Sequence, residues 1–197
     1  MPMNLPNLLT LSRIVAIPLV ILTFYMPSPI GPWTGCVLFT AACITDWLDG
    51  QLARRWHQQS EWGRVLDPIA DKLLVATILF MLAALQRITP VTVFPALVIL
   101  AREILVSGLR EHLAMLNVPV PVSRLAKWKT AIQMVAIGVL LVGDAGPVII
   151  PPVRTLGELL LWIAAVLTII TGYDYLRAGM SHIGDADAKT AKPGSVP

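Results

Sequence analysis

Four aspartates in a short stretch of an otherwise apolar chain carry the chemistry that this sequence can perform. Asp46 and Asp49 close one apolar run, and Asp67 and Asp71 open the next. Spaced i,i+3 and i,i+4, the members of each pair fall on one helical face. A turn between the runs lets the two helices return side by side, so that all four carboxylates converge at one membrane boundary. Ionisable groups in apolar spans are costly and are read as functional by default. Like charges crowded together force some of their number to protonate unless a cation intervenes. An all-oxygen donor set suits Mg²⁺, Mn²⁺ or Ca²⁺ rather than zinc, and no His or Cys stands at ligand spacing in the cluster. Gly50 and Ala53 follow the first acid pair and leave room for a bulky ligand to approach the backbone, while Arg54 offers a fork for phosphate. Gly63, one turn before Asp67, can serve the same purpose.

Each of these residues also has a plainer reading. Asp67 followed by Pro68 is the pattern of a helix N-cap with proline at the first helical position. Gly50 and Gly63 suit turns or close packing, and Arg54 and Arg55 suit the positively charged flank of a span. The conjunction favours a site. Capping alone does not account for four acids, two glycines, an alanine and an arginine at these spacings.

The elements that must position these groups follow from composition. Of 197 residues, 56% are hydrophobic and 14% charged, with a formal net charge of +3, and the mean hydropathy is +0.73. Soluble domains carry about 25% charged residues, so a water-soluble enzyme and a disordered chain are both excluded. Apolar segments near residues 10–27, 33–49, 67–86, 90–115, 124–143 and 155–176 approach the ~20 residues that cross a bilayer core. Proline and glycine clusters separate them, among them Pro27, Pro29 and Pro32, then Thr89–Pro90, then Gly143 to Pro152. The expected fold is therefore all-α: a polytopic membrane protein of six transmembrane helices in one domain, residues 1–183, followed by a disordered polar tail, residues 184–197. An even number of spans puts both termini on one side. That side collects all but Arg87 and Arg154 of the 15 lysines and arginines, which makes it cytoplasmic. Trp33, Tyr173 and Tyr175 are expected as interfacial anchors. Cys36 and Cys43 lie two helical turns apart, too far for a disulfide.

The run Asp49-Gly50-x2-Ala53-Arg54-x8-Gly63-x3-Asp67-x3-Asp71, with Asp46 three residues ahead, resembles the signature of the CDP-alcohol phosphatidyltransferases and matches it at every motif position. The resemblance implies a six-helix membrane enzyme, usually a homodimer, that moves a phosphatidyl or related group from a CDP-linked donor to an alcohol and releases CMP. It further implies that Asp46, Asp49, Asp67 and Asp71 hold Mg²⁺ or Mn²⁺, two ions in all, against the donor diphosphate. On the same basis Asp46, Asp49, Gly50, Ala53, Arg54 and Gly63 border the CDP moiety, and Asp71 is the general base.

Three further blocks resemble the bacterial branch of the family that makes phosphatidylglycerophosphate. They are Asn4-Leu-Pro6-Asn7-Leu-Leu-Thr10-Leu-Ser-Arg13, the segment Ala101 to Glu111, and Lys127-Trp-Lys129-Thr130-x2-Gln133-Met134. Ala126 departs from the glycine that precedes the first lysine in that branch. The implied substrates are CDP-diacylglycerol and sn-glycerol 3-phosphate, in a bacterial inner membrane with the active site at the cytoplasmic face and no nucleic-acid partner. Charge supports an anionic acceptor independently. Arg102 and Arg110 share a face of one helix, and Lys127 and Lys129 open the next. Four cations near one mouth suit a phosphate, with arginine giving bidentate contacts; the plainer reading is that they flank spans or bind lipid headgroups. Glu103 and Glu111 either orient the arginines or offset their charge. A sister transferase of the cardiolipin or inositol-phosphate type remains the alternative within the class. A cation transporter is the alternative outside it, disfavoured because the acids gather at one face rather than at the midplane.

Overall fold

The computed structural model describes residues 5–56, 61–115, 123–145 and 152–190, with the side chains of residues 5–9, 49–56, 61, 62, 64, 65, 112, 144 and 178–190 outside that description. The described residues form six α-helices and no strand: α1 (Leu5–Thr23), α2 (Ile30–Trp56), α3 (Glu61–Ala84), α4 (Val93–Met115), α5 (Arg124–Val142) and α6 (Val153–Thr190). Single 3₁₀ turns, Pro90–Thr92 and Gly143–Ala145, precede α4 and follow α5. Among the described residues, three segments are long and apolar enough to cross a membrane, namely Pro90–Met115, Arg124–Val142 and Val153–Arg177, and Thr10–Thr23 is a shorter apolar helix. The remaining helices, α2 and α3, are those that carry the aspartates.

Three boundaries differ from expectation, for one physical reason. A helix satisfies its own backbone hydrogen bonds, so it can continue past its apolar stretch through polar residues. Thus α2 runs on to Trp56 and α3 begins at Glu61, which places Asp67 and Pro68 inside α3. The N-cap reading of Asp67 is thereby corrected. Likewise α6 extends to Thr190, through the polar residues 184–190 assigned to the tail; residues 191–197 lie outside the described residues.

In the bundle, α1 packs on α2 and α3, α5 lies against α2 and α6, and α4 rests on α6 and more sparsely on α3. The core joins Val20 of α1, Phe39 of α2, Ile78 and Leu82 of α3, Ile99 of α4, Ile137 and Leu140 of α5 and Leu161 of α6. Its outer surface is also apolar, with Phe80, Phe94, Ile104, Val166 and Ile169 exposed. Both cysteines are free.

One end of the bundle gathers three connections. The Trp33 indole donates to the Ala145 carbonyl at 3.3 Å, and Arg87 donates to the Phe24 carbonyl at 3.4 Å with its guanidinium 5.0 Å from the Phe24 ring centroid. Glu158 accepts from the Thr89 backbone at 2.9 Å and from the Thr89 and Thr92 hydroxyls, both at 2.7 Å. Arg154 reaches Glu158 at 3.3 Å and the Gln86 carbonyl at 3.2 Å. Arg87 and Arg154, the two basic residues expected on the poorer side, therefore share this end.

A close contact between α5 and α6 sets a test. A Cβ at Gly157 of α6 would meet Leu140 Cγ at 2.7 Å and its backbone nitrogen at 3.2 Å, whereas a Cβ at Gly138 would meet nothing within 4 Å. Gly157→Val should cost about 1–3 kcal/mol and lower the thermal midpoint in detergent by several degrees. Gly138→Ala should be neutral or raise it, since alanine is the better helix former by up to about 1 kcal/mol.

Candidate active site

The acids are organised by a helix that carries none of them. Thr10 and Arg13 of α1 lie one turn apart, and both are buried. The Thr10 hydroxyl donates to the Asp67 carboxylate on α3. Arg13 Nη1 lies 2.7 Å from Asp46 Oδ1 on α2, with the Arg13 side chain 1% exposed and that of Asp46 45% exposed. A single face of α1 thus clips α2 and α3 together at their carboxylates. Asp46 is also within electrostatic range of Asp67 and of Asp71. Gly63 is buried on α3. Asp49, Gly50, Ala53 and Arg54 fall on α2, their side chains outside the described residues.

Beside the acids, α3, α4, α5 and α6 enclose a cavity of about 660 Å³. Asp71 forms part of its wall, and so do all four cations singled out in the sequence: Arg102, Arg110, Lys127 and Lys129. Their environments differ. Lys129 is buried, and its ammonium is bonded to Glu103. The side chain of Arg102 is 14% exposed and lies 3.9 Å from Glu103. Its Nη2 donates to the Thr171 hydroxyl of α6 at 3.2 Å, and its guanidinium sits 5.6 Å from the Tyr175 ring centroid. Gly172 eases this approach, since a Cβ there would lie 3.1 Å from Arg102 Cγ. Arg110 and Lys127, by contrast, are exposed. Of these four, two are held and two are accessible, and Lys72 lines the same cavity.

Several of these residues were not anticipated. Tyr175 is no interfacial anchor: it is 7% exposed and packs under Arg102, because α6 turns that face inward against α4. Lys72 bonds to Ser107 across the α3–α4 boundary, and Ser107 donates to Glu111 at 3.3 Å. Arg13 counted as a cytoplasmic-side charge and as the end of the N-terminal block, with no partner assigned, although an arginine inside an apolar segment, one turn from a threonine, is itself a signal of a buried polar contact.

The donors suit a hard divalent cation, being carboxylate oxygens without sulfur or imidazole. Among the described residues no three His, Cys, Asp or Glu side chains come close enough to hold one ion; Asp49 is not among the side chains described.

Such a site, a carboxylate pair on each of two consecutive helices that meet through α1 rather than by packing side by side as expected, set beside a basic cavity, defines a class. The profile of the CDP-alcohol phosphatidyltransferases matches residues 3–170, and the chain belongs to that family. A protein of Rickettsia bellii is 53% identical over 175 residues, spanning 89% of this chain and 94% of its own length. One of Shigella flexneri serotype 5b is 42% identical over 187 residues, spanning 94% and 100%. One of Cereibacter sphaeroides is 38% identical over 218 residues, spanning 92% and 98%. All three bear the name CDP-diacylglycerol–glycerol-3-phosphate 3-phosphatidyltransferase. The apo crystal structure of Mycobacterium tuberculosis phosphatidylinositol phosphate synthase superposes with a TM-score of 0.61 at 20% identity, covering 87% of this chain and 85% of that one. At that identity the likeness shows a shared fold.

Removing Arg13 tests the clip. Arg13→Ala leaves Asp46 without its guanidinium; because the carboxylate is partly exposed, the cost should be about 1–3 kcal/mol rather than that of a fully buried pair. Turnover should fall at least tenfold, and Arg13→Lys should restore part of both, read by thermal midpoint and by initial rate. Full activity in Arg13→Ala would show that Asp46 needs no such support.

Proposed function

We propose that this protein transfers the phosphatidyl group of CDP-diacylglycerol to sn-glycerol 3-phosphate, giving phosphatidylglycerophosphate and CMP. The observation that carries the reading is the common cavity, in which a carboxylate suited to accept a proton and cations suited to a phosphate face the same space. The names of the relatives, at up to 53% identity over most of the chain, point to the same substrates.

Arg110 and Lys127, accessible in the cavity, take the acceptor phosphate by charge-assisted hydrogen bonds. Arg102 and Lys129, fixed by Glu103, Thr171 and Tyr175, form a positive floor that holds this region ready for an anion. Asp71 removes the proton from the acceptor's primary hydroxyl. That oxygen forms a bond to the lipid-side phosphorus as the bond to the CMP phosphate breaks, and CMP departs with the electron pair. A carboxylate is a weak base for an alcohol at its ordinary pKa of about 3.9, so the placement of the hydroxyl and proton transfer late in bond formation carry the step. Asp46, Asp49, Asp67 and Asp71 would hold Mg²⁺ or Mn²⁺, whose charge neutralises the diphosphate and the leaving CMP. On α2, Gly50, Ala53 and Arg54, with Gly63 of α3, would border the CDP moiety.

The same reading has all six helices crossing a bacterial inner membrane, with both termini and the acids on the cytoplasmic side and residues 1–183 as one domain. Clustering of Arg87 and Arg154 at one end supports this orientation. Family resemblance adds a homodimer.

Three substitutions test the roles. Asp71→Asn should abolish CMP release, at least 10³-fold, with the thermal midpoint retained; near-normal turnover would remove Asp71 as the base. Arg110→Ala and Lys127→Ala should each raise the KM for glycerol 3-phosphate about tenfold or more and leave the KM for the lipid donor within about twofold. An unchanged acceptor KM would place that phosphate elsewhere.

A further inference from the structure

Gln133 of α5 is 2% exposed, and its side-chain oxygen Oε1 is buried without a hydrogen-bond partner. An unmatched buried acceptor is destabilising, so the position suits a ligand that brings a donor. Gln133 borders a second cavity, about 280 Å³ between α3, α4 and α5. Asp71, Lys72, Glu103 and Thr130 line both this cavity and the larger one, so the two adjoin at the carboxylate assigned as base. Elsewhere its walls are apolar, with Leu73, Leu100, Ile104 and Met134 among them.

The chemistry of the occupant follows from which substrate atoms can donate. The diacylglycerol moiety of the lipid donor carries ester oxygens and hydrocarbon but no O–H or N–H. It fits the apolar walls but leaves Gln133 Oε1 unmatched. Glycerol 3-phosphate has two hydroxyls on adjacent carbons, one of which is the nucleophile beside Asp71. Gln133 also lies one helical turn, about 5.4 Å, beyond Lys129 on the same face of α5. That rise is comparable to the reach of a three-carbon phosphoalcohol from its phosphate. Resting on the function proposed above, we infer that Gln133 is a specificity-determining residue that accepts a hydrogen bond from the C2 hydroxyl of the acceptor. It places the adjacent primary hydroxyl at Asp71 and disfavours phosphoalcohols that lack a donor at C2.

The test compares sn-glycerol 3-phosphate with 1,3-propanediol monophosphate, which keeps the phosphate and the primary hydroxyl but lacks the C2 hydroxyl. With CDP-diacylglycerol as donor, the full-length protein should favour the first by at least about a hundredfold in kcat/KM, as sites built to bond a hydroxyl do. Gln133→Met, close in shape and unable to accept this bond, should reduce the preference to less than about tenfold. It should do so by losing glycerol 3-phosphate turnover while keeping that of the propanediol compound. Gln133→Leu gives a second reading of the same ratio, which is internal to each protein and so independent of yield. A preference unchanged in the active variants, or a wild-type protein that does not discriminate, would overturn the assignment. Loss of both activities in folded Gln133→Met would also overturn it, making the residue structural. Wild-type protein that turns over neither acceptor would instead refute the proposed function, and this inference with it.

Discussion

Holding like-charged carboxylates together at one end of an apolar bundle is the constraint on which the rest of this structure depends. Two unit charges 4 Å apart interact by about 4 kcal/mol at an effective dielectric near 20. An acid cluster without compensation would therefore push α2 and α3 apart. The buried Arg13 beside Asp46, with Thr10 on Asp67, supplies part of that compensation from α1. This gives the first helix its place in the site, although it contributes no carboxylate. The same logic recurs with opposite sign across the cavity, where Glu103 joins the buried Lys129 and lies near Arg102. In each cluster a group of the other sign holds part of the set, and accessible groups such as Arg110 and Lys127 are left to meet a ligand.

Packing is divided accordingly. At Gly157, α5 and α6 approach until a single methyl group would collide with Leu140, and this rigid pair carries Lys129, Thr171 and Tyr175. Contacts between α3 and α4 are sparser, and both cavities lie along that boundary. The far end is closed by Glu158, which fastens the turn before α4 to α6 through Thr89 and Thr92. From Glu158 to Thr171 is 13 residues, or roughly 20 Å at 1.5 Å per residue. A polar clamp at one end and a polar cavity at the other leave an apolar band between them, with apolar side chains facing outward as well as inward.

Much of this was legible from residue type and spacing. The all-α class followed from apolar segments of bilayer length, and the aspartates stood out because carboxylates are so costly in such segments. Arg102 and Arg110 could be grouped by helical face and Lys127 and Lys129 by their place at the start of the next helix, and the cavity does bring all four together with Asp71. Helix ends were less legible, because polar residues beyond an apolar run can remain helical: Asp67–Pro68 carries the pattern of a cap yet lies inside α3. Partnerships between distant segments were the least legible. Nothing in local spacing links Arg13 to Asp46 or Lys72 to Ser107, since these contacts arise from the way the helices assemble. Tyr175 illustrates the same limit: an aromatic near a span end has the same local pattern whether it faces headgroups or, as here, an arginine.

The central claim is the identity of the reaction, and product analysis addresses it most directly. Detergent-purified protein would be given CDP-diacylglycerol, Mg²⁺ or Mn²⁺, and labelled sn-glycerol 3-phosphate, with serine, inositol phosphate and phosphatidylglycerol as parallel acceptors. This account predicts label in a phosphatidylglycerophosphate product, one CMP released per lipid formed, and loss of both on chelation. CMP released only with another alcohol would keep the carboxylate site but contradict the assigned acceptor, and no CMP with any acceptor would contradict the account as a whole.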